Sequence, residues 1–208
     1  MNRLVLASTS PARLMLLRAG GIEPVTIAPK VDEDEVAAVA ESFGLIKGTS
    51  DLVEILARAK AEAALDHPEV AGSIILGCDS SLEFEGESLG KPHLPEIAKA
   101  RWLKLRGNTG HLYSGHCLID NRDPENRKIV SRVSSSKVHF AQLSDAEIDA
   151  YVATEEPLKV AGAFTVDGLG GAFISRIEGD YHTVVGLSLP TLREMTLELG
   201  LEYTDFWV

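Results

Sequence analysis

The stretch Leu6-Ala7-Ser8-Thr9-Ser10-Pro11-Ala12-Arg13 joins a short apolar run to hydroxyls, a proline and an arginine. If a strand ends at Ala7 and a helix opens at Pro11, the first backbone N–H groups of that helix form an anion site. Ser8 and Ser10 add hydroxyl donors, and Arg13 adds a planar fork suited to phosphate oxygens. The plainer alternative is an ordinary helix cap beside a solvated arginine. Val31-Asp32-Glu33-Asp34-Glu35 crowds carboxylates together. They repel unless water or a cation neutralises them, and Mg²⁺ with oxygen ligands would suit. Asp79 comes just after the apolar run Ser73-Ile74-Ile75-Leu76-Gly77, where α/β sheets usually place ligands. An Asp there can hold a metal or orient a water, or simply bond within a turn. Lys60 and Lys91, taken alone, are a helix-face lysine and a turn lysine. The glycines of 161–171 allow a ligand close to the backbone, or form turns.

The elements that must position these residues follow from pattern. Residues 4–7 read as a buried strand. Ser10 caps a helix that Pro11 begins and Gly20-Gly21 ends. A second strand is expected over 22–28, an acidic loop at 32–35 and irregular chain over 41–49. A helix follows over 51–65, with Leu52, Ile55, Leu56, Ala59 and Ala63 on one face. The run 73–77 is a central strand buried on both faces, ending before Asp79. A hairpin turn at 85–87, a helix over 95–105 and strands over 111–120 and 128–140 come next. Ser144 and Glu147 have the spacing of a capping box for a helix through Tyr151. A strand over 172–177 and a helix over 190–199 complete an α/β pattern with one large mixed sheet.

Composition narrows the function. The 208 residues include 20 Lys plus Arg against 31 Asp plus Glu, a formal net charge of −11, and 45% are apolar. The acid surplus excludes a broad nucleic-acid binder, which needs clustered basic side chains. No apolar run approaches the ~20 residues of a membrane helix. The first apolar stretch is broken by Ser8, Ser10 and Pro11, so a cytoplasmic start is expected. Cys78 and Cys117 read as two free buried thiols. The histidines form no metal-ligand cluster, and His111 and His182 are taken as structural. GxxxxGK[ST] and GxGxxG motifs are absent, which excludes a P-loop NTPase and a Rossmann dehydrogenase.

The ordered segments LASTSPAR at 6–13, VDE at 31–33, RAKAEA at 58–63, LGCDSS at 76–81 and GKP at 90–92 carry a resemblance. LSDAEIDAYV at 143–152, AGAFTVDGLGGAFI at 161–174 and IEGDYHTVVGLSLP at 177–190 extend it over nearly the whole chain. Together they resemble the Maf family, historically named for septum formation and regarded as nucleoside triphosphate pyrophosphatases. The resemblance implies a single Maf/Ham1-like α/β domain over 1–208. Its mixed β-sheet is elongated and flanked by helices, with two lobes around a central cleft, and members are often homodimers. It also implies hydrolysis of a nucleoside triphosphate to a monophosphate and pyrophosphate with Mg²⁺ or Mn²⁺. Carried over position by position, Ser8, Ser10 and Arg13 bind phosphate, and Glu33 and Asp79 hold metal. Asp79 is also the proton acceptor, Lys60 and Lys91 neutralise the triphosphate, and Asp167 recognises the base.

Three positions depart from the family pattern. Ala12 stands where a second basic residue is common. Asp167 stands where one subgroup, linked to dTTP and UTP, has Gln, and another, linked to 7-methyl-GTP, has Glu. Ser80 matches neither the Thr of the first subgroup nor the Gln of the second. A carboxylate at 167 can accept the two N–H donors of a guanine edge, which a thymine edge lacks. The expectation is therefore an enzyme that removes non-standard or surplus nucleotides and favours a guanine-like base over dTTP or UTP. The alternative from another class is a regulatory protein that acts by binding in cell division.

Overall fold

The computed structural model describes residues 2–208. In chain order β1 (Leu4–Ala7), α1 (Pro11–Ala19), β2 (Val25–Ile27), α2 (Glu33–Ser42), α3 (Thr49–Ala63), β3 (Ile74–Phe84) and β4 (Glu87–Leu89) form the first half. α4 (Pro95–Leu105), β5 (Thr109–Asp120), β6 (Lys128–Phe140), α5 (Asp145–Ala153), β7 (Ile174–Glu178), α6 (Tyr181–Val185) and α7 (Leu189–Glu198) form the second. All seven strands belong to one mixed sheet, ordered β2-β1-β3-β5-β6-β7, with β4 folded back on β3. β1 lies parallel to β2 and β3, whereas β5, β6 and β7 add antiparallel.

Strand side chains alternate between faces, and the cores sort accordingly. Leu4, Leu6, Ile74, Leu76 and Cys78 pack with α1 and α7 on one face. Val5, Ala7, Ile75, Cys117 and Ile119 pack with Ala57 and Ala61 of α3 on the other. Further along β3, Leu82 and Phe84 enter a separate core with Trp102, Phe140, Tyr151 and Phe164. β3 thus runs from one core into another, and Asp79 and Ser80 lie where they meet.

Two strand glycines set the depth of α3. A Cβ on Gly77 would stand 2.1 Å from the Ala57 carbonyl oxygen, and one on Gly115 would stand 2.2 Å from that of Val53. The helix backbone therefore rests directly on the sheet, a contact that no larger residue permits. This is what brings Lys60, in the last turn of α3, down to β3.

The structure corrects two expectations. The acidic stretch is no loop: Asp32 caps α2 by accepting from the Glu35 N–H, and Glu33, Asp34 and Glu35 fill its first turn. Carboxylates there are stabilised by the helix N-terminus, a local gain that a count of like charges overlooks. Asp79 does not follow the strand but lies within it, since β3 continues to Phe84. The polar residues after Gly77 find partners where they stand, Asp79 in Lys60 of α3, Ser80 in Arg13 and Ser114, and Ser81 in Ser88, so they do not end the strand. Elsewhere α4, β6 and the Ser144–Glu147 capping box stand as expected. The turn at Glu85-Gly86 has φ of 53° and 82°, as a tight hairpin requires.

Candidate active site

Lys60 is the centre of the site. It is only 7% exposed, and its Nζ lies 2.5 Å from Asp79 Oδ1 and 2.9 Å from Glu33 Oε1. α2, α3 and β3 each contribute one member. The charges settle unequally. Burial pushes the Asp79 carboxyl up, and the charges of Lys60 and Arg13 only partly counter it. Burial also works against ionisation of Glu33. There the hydrogen bond and charge of Lys60, with the charges of Lys91 and Arg13, prevail and hold it below the usual range. The two carboxylates that share one ammonium are therefore shifted in opposite directions.

Arg13 forms a second node beside the first. Its Nη1 donates to Ser8 Oγ (3.2 Å) and the Cys78 carbonyl (2.9 Å), its Nε to the Gly186 carbonyl (2.9 Å), and its Nη2 to Ser80 Oγ (3.1 Å). A guanidinium has five N–H groups, so one remains for a ligand. Ser8 Oγ also accepts from the Ser10 N–H at 3.1 Å, and Ser10 caps α1 by accepting from the Arg13 N–H. Hydroxyls and helix N-terminus thus converge as the sequence suggests. Arg13 is also a brace, holding the β1–α1 loop, β3 and the end of α6 together.

The remaining candidates are spread out. Lys91 is exposed, and it reaches the cluster through its charge on Glu33 rather than by contact. Asp167 is exposed on the loop that follows Phe164 and touches neither node. His182 bonds to Asp180, which caps α6. His111 is exposed on β5. Cys78 and Cys117 are free and buried on opposite faces. Burial pushes the Cys78 thiol up to about 12, which removes it as a nucleophile. Among the described residues, no group of three or more His, Cys, Asp or Glu side chains forms a metal cage.

Several working residues escaped the sequence reading. Ser80, treated there as a subgroup marker, points away from Asp79 and joins Arg13 to Ser114 Oγ at 2.8 Å. Only strand alternation could have shown this, given that β3 continues through position 79. Gly77 had a signal in Ala57 and Ala61, small residues one helical turn apart, whereas Gly115, which meets the Val53 backbone, had none. Glu156 gave no signal. Its carboxylate gathers the side-chain and backbone donors of the loop that carries Asp167.

Known proteins resemble this chain over nearly its whole length. A protein named nucleoside triphosphate pyrophosphatase in Leifsonia xyli is 52% identical over 99% of this chain and 96% of its own length. A protein of the same name in Nocardia farcinica is 47% identical over 99% and 97%. The solved nucleoside-triphosphatase / dITP/XTP pyrophosphatase of Mycobacterium abscessus overlaps 94% of each chain at 16% identity. Its TM-score is 0.40, a likeness too distant to carry an argument. The pattern of the Maf-like protein family matches residues 3–199, and the chain belongs to that family.

Proposed function

We propose that this chain hydrolyses a nucleoside triphosphate at its α-phosphorus, releasing the nucleoside monophosphate and pyrophosphate. The observation that carries the reading is the buried Lys60 ammonium held between Asp79 and Glu33, one residue along β3 from the carbonyl that anchors Arg13. The names of the relatives support the same reaction.

The roles follow from charge and position. Asp79, made more basic by burial, accepts a proton from the attacking water as its oxygen bonds to the α-phosphorus. The bond from that phosphorus to the bridging oxygen breaks, and the electron pair leaves with pyrophosphate. Lys60, Lys91 and the free N–H of Arg13 stabilise the charge that accumulates there. Ser8, Ser10 and the Ala12 N–H hold the phosphate oxygens, since Pro11 has no N–H and that of Arg13 is taken by Ser10. Glu33 and Asp79 would hold a divalent cation such as Mg²⁺ or Mn²⁺. Two carboxylates without a third protein ligand suit an ion that takes its other oxygens from phosphates and water. When bound, such an ion polarises phosphoryl oxygens and lowers the pKa of water. Asp167 faces the base, and its carboxylate favours the paired N–H donors of a guanine-like edge, 7-methyl-GTP included, over dTTP and UTP.

Asp79→Asn keeps size and shape but removes the proton acceptor. Pyrophosphate release is expected to fall about 10²–10⁴-fold, while calorimetric titration still detects nucleotide binding. Chelation of divalent cations should stop wild-type turnover, and Mg²⁺ should restore it. Turnover by the Asn variant within tenfold of wild type overturns the assignment.

A further inference from the structure

Asp167, Gly168 and Leu169 are exposed at the tip of their loop, yet the loop is closely tied down. Glu156 Oε1 accepts from the hydroxyls of Tyr151 (2.9 Å) and Thr165 (2.5 Å) and from the Gly170 N–H (3.0 Å), and its Oε2 accepts from the Leu169 N–H (3.0 Å). These anchors lie on both sides of Asp167: Thr165 two residues before it, Leu169 and Gly170 just after. The chain passes so close that a Cβ on Gly168 would stand 2.8 Å from Glu156 Oε2, and one on Gly170 would stand 2.4 Å from the Tyr151 hydroxyl.

The anchor is itself fixed. Tyr151 is buried edge-on against Trp102, with ring centroids 5.4 Å apart. Trp102 Nε1 donates to the Ala163 carbonyl at 2.7 Å, securing the start of the same segment. Burial would push the Glu156 carboxyl up, but bonds from Thr165, Gly170, Leu169 and Tyr151 outweigh it and hold the group ionised below the usual range. One carboxylate thus satisfies loop donors that would otherwise turn to water.

We propose that Glu156 is a positioning residue that sets the place of Asp167, and through it the choice of nucleobase, without touching the reacting phosphates. The proposal rests on the reading of Asp167 as base-facing. Glu156→Gln replaces one accepting oxygen with an amide, which meets the Leu169 N–H donor to donor. Glu156→Ala removes every bond, and Thr165→Val removes one and keeps the carboxylate.

The test is steady-state pyrophosphate release from GTP, 7-methyl-GTP, dTTP and UTP by wild type and these variants, with Asp167→Ala in parallel. The quantity read is the ratio of kcat/KM between the best and worst base. That ratio is expected to fall about tenfold in Glu156→Ala and less in Glu156→Gln and Thr165→Val. The loss should appear as a higher KM for the preferred base, and inhibition by tripolyphosphate, which has no base, should be unchanged. General destabilisation would lower kcat for all four substrates together and leave the ratio intact. An unchanged ratio in all three variants, with Asp167→Ala altering it, overturns the role of Glu156 alone. An Asp167→Ala enzyme with wild-type preference removes the ground on which the proposal rests. Wild-type protein that releases no pyrophosphate from any nucleotide overturns the proposed function itself.

Discussion

Two regions of this molecule place a carboxylate for work, and they do so by opposite means. At the Glu33–Lys60–Asp79 cluster each side chain comes from a regular element, and a buried ammonium joins the two acids. After Asp167 the chain turns into a short 3-10 helix over Leu169–Phe173, and the oxygens of Glu156 take its first N–H groups. The first arrangement is costly to disturb, because charge is buried with its counter-charge. The second can be loosened by degrees, because its bonds are several and lie near the surface. A reaction common to all nucleotides needs the rigid kind of site. A choice among bases needs a part that can change without unfolding the rest.

Stability measurements can break that contrast. Lys60→Met leaves two carboxylates close together, one of them buried without its bonded counter-charge. Chemical denaturation is expected to show a loss of about 3–5 kcal/mol. Adding Asp79→Asn to the same chain should return part of that loss, since the stranded charge is gone. A loss below 1 kcal/mol in the single variant would mean that the ammonium is not a structural centre. Thr165→Val at the loop should cost only about 1 kcal/mol.

Glycine substitutions sharpen the same contrast with smaller effects. Gly77→Ala drives a Cβ against the Ala57 carbonyl and the Ala61 nitrogen, which are helix backbone and cannot swing aside. About 1–3 kcal/mol of stability should be lost as α3 is lifted, and turnover should fall because Lys60 moves with it. Gly168→Ala meets the ends of the Thr165 and Glu156 side chains instead. Its unfolding midpoint should stay near that of wild type while base preference declines. Equal thermal shifts in the two variants would erase the distinction between frame and loop.

What the sequence could reveal follows the same division. The regular frame was legible: Pro95 at a helix start, the long strands around the turn at 121–126 and the Ser144–Glu147 box are local signals. The cluster was half legible. Its residues stood out once the family resemblance was in hand, but α2 was hidden because crowded acids look like solvated loop until Asp32 is seen as a cap. The triple contact at Lys60 depends on Gly77 and Gly115, whose meaning lies in what rests on them. The loop was least legible. Glu156 is an acid before a proline, and nothing local says that its oxygens will meet donors from residues 151, 165, 169 and 170. Such a bond set exists only after the chain has folded back on itself.

Acid titration gives the smallest expected effect and the finest separation of the two regions. Burial raises the Asp79 carboxyl, with Lys60 and Arg13 opposing, so the folded protein takes up this proton at a higher pH than an ordinary aspartate. On the proposed mechanism the basic form that accepts the proton is therefore lost early as pH falls. Glu156 has the opposite sign. Burial works against its ionisation, but its hydrogen bonds lower it below the usual glutamate range. Its contribution is complete above the pKa of an unfolded glutamate and is lost only as pH falls through the lowered value. Because one shift is upward and the other downward, catalysis is expected to weaken on acidification without a matching loss of loop shape. Along the acid limb, kcat/KM for each base is expected to fall about tenfold per pH unit, while the ratio between best and worst base stays within about twofold. A ratio that collapses together with the rate would show that the loop and the cluster titrate as one unit, and the division drawn here would fail.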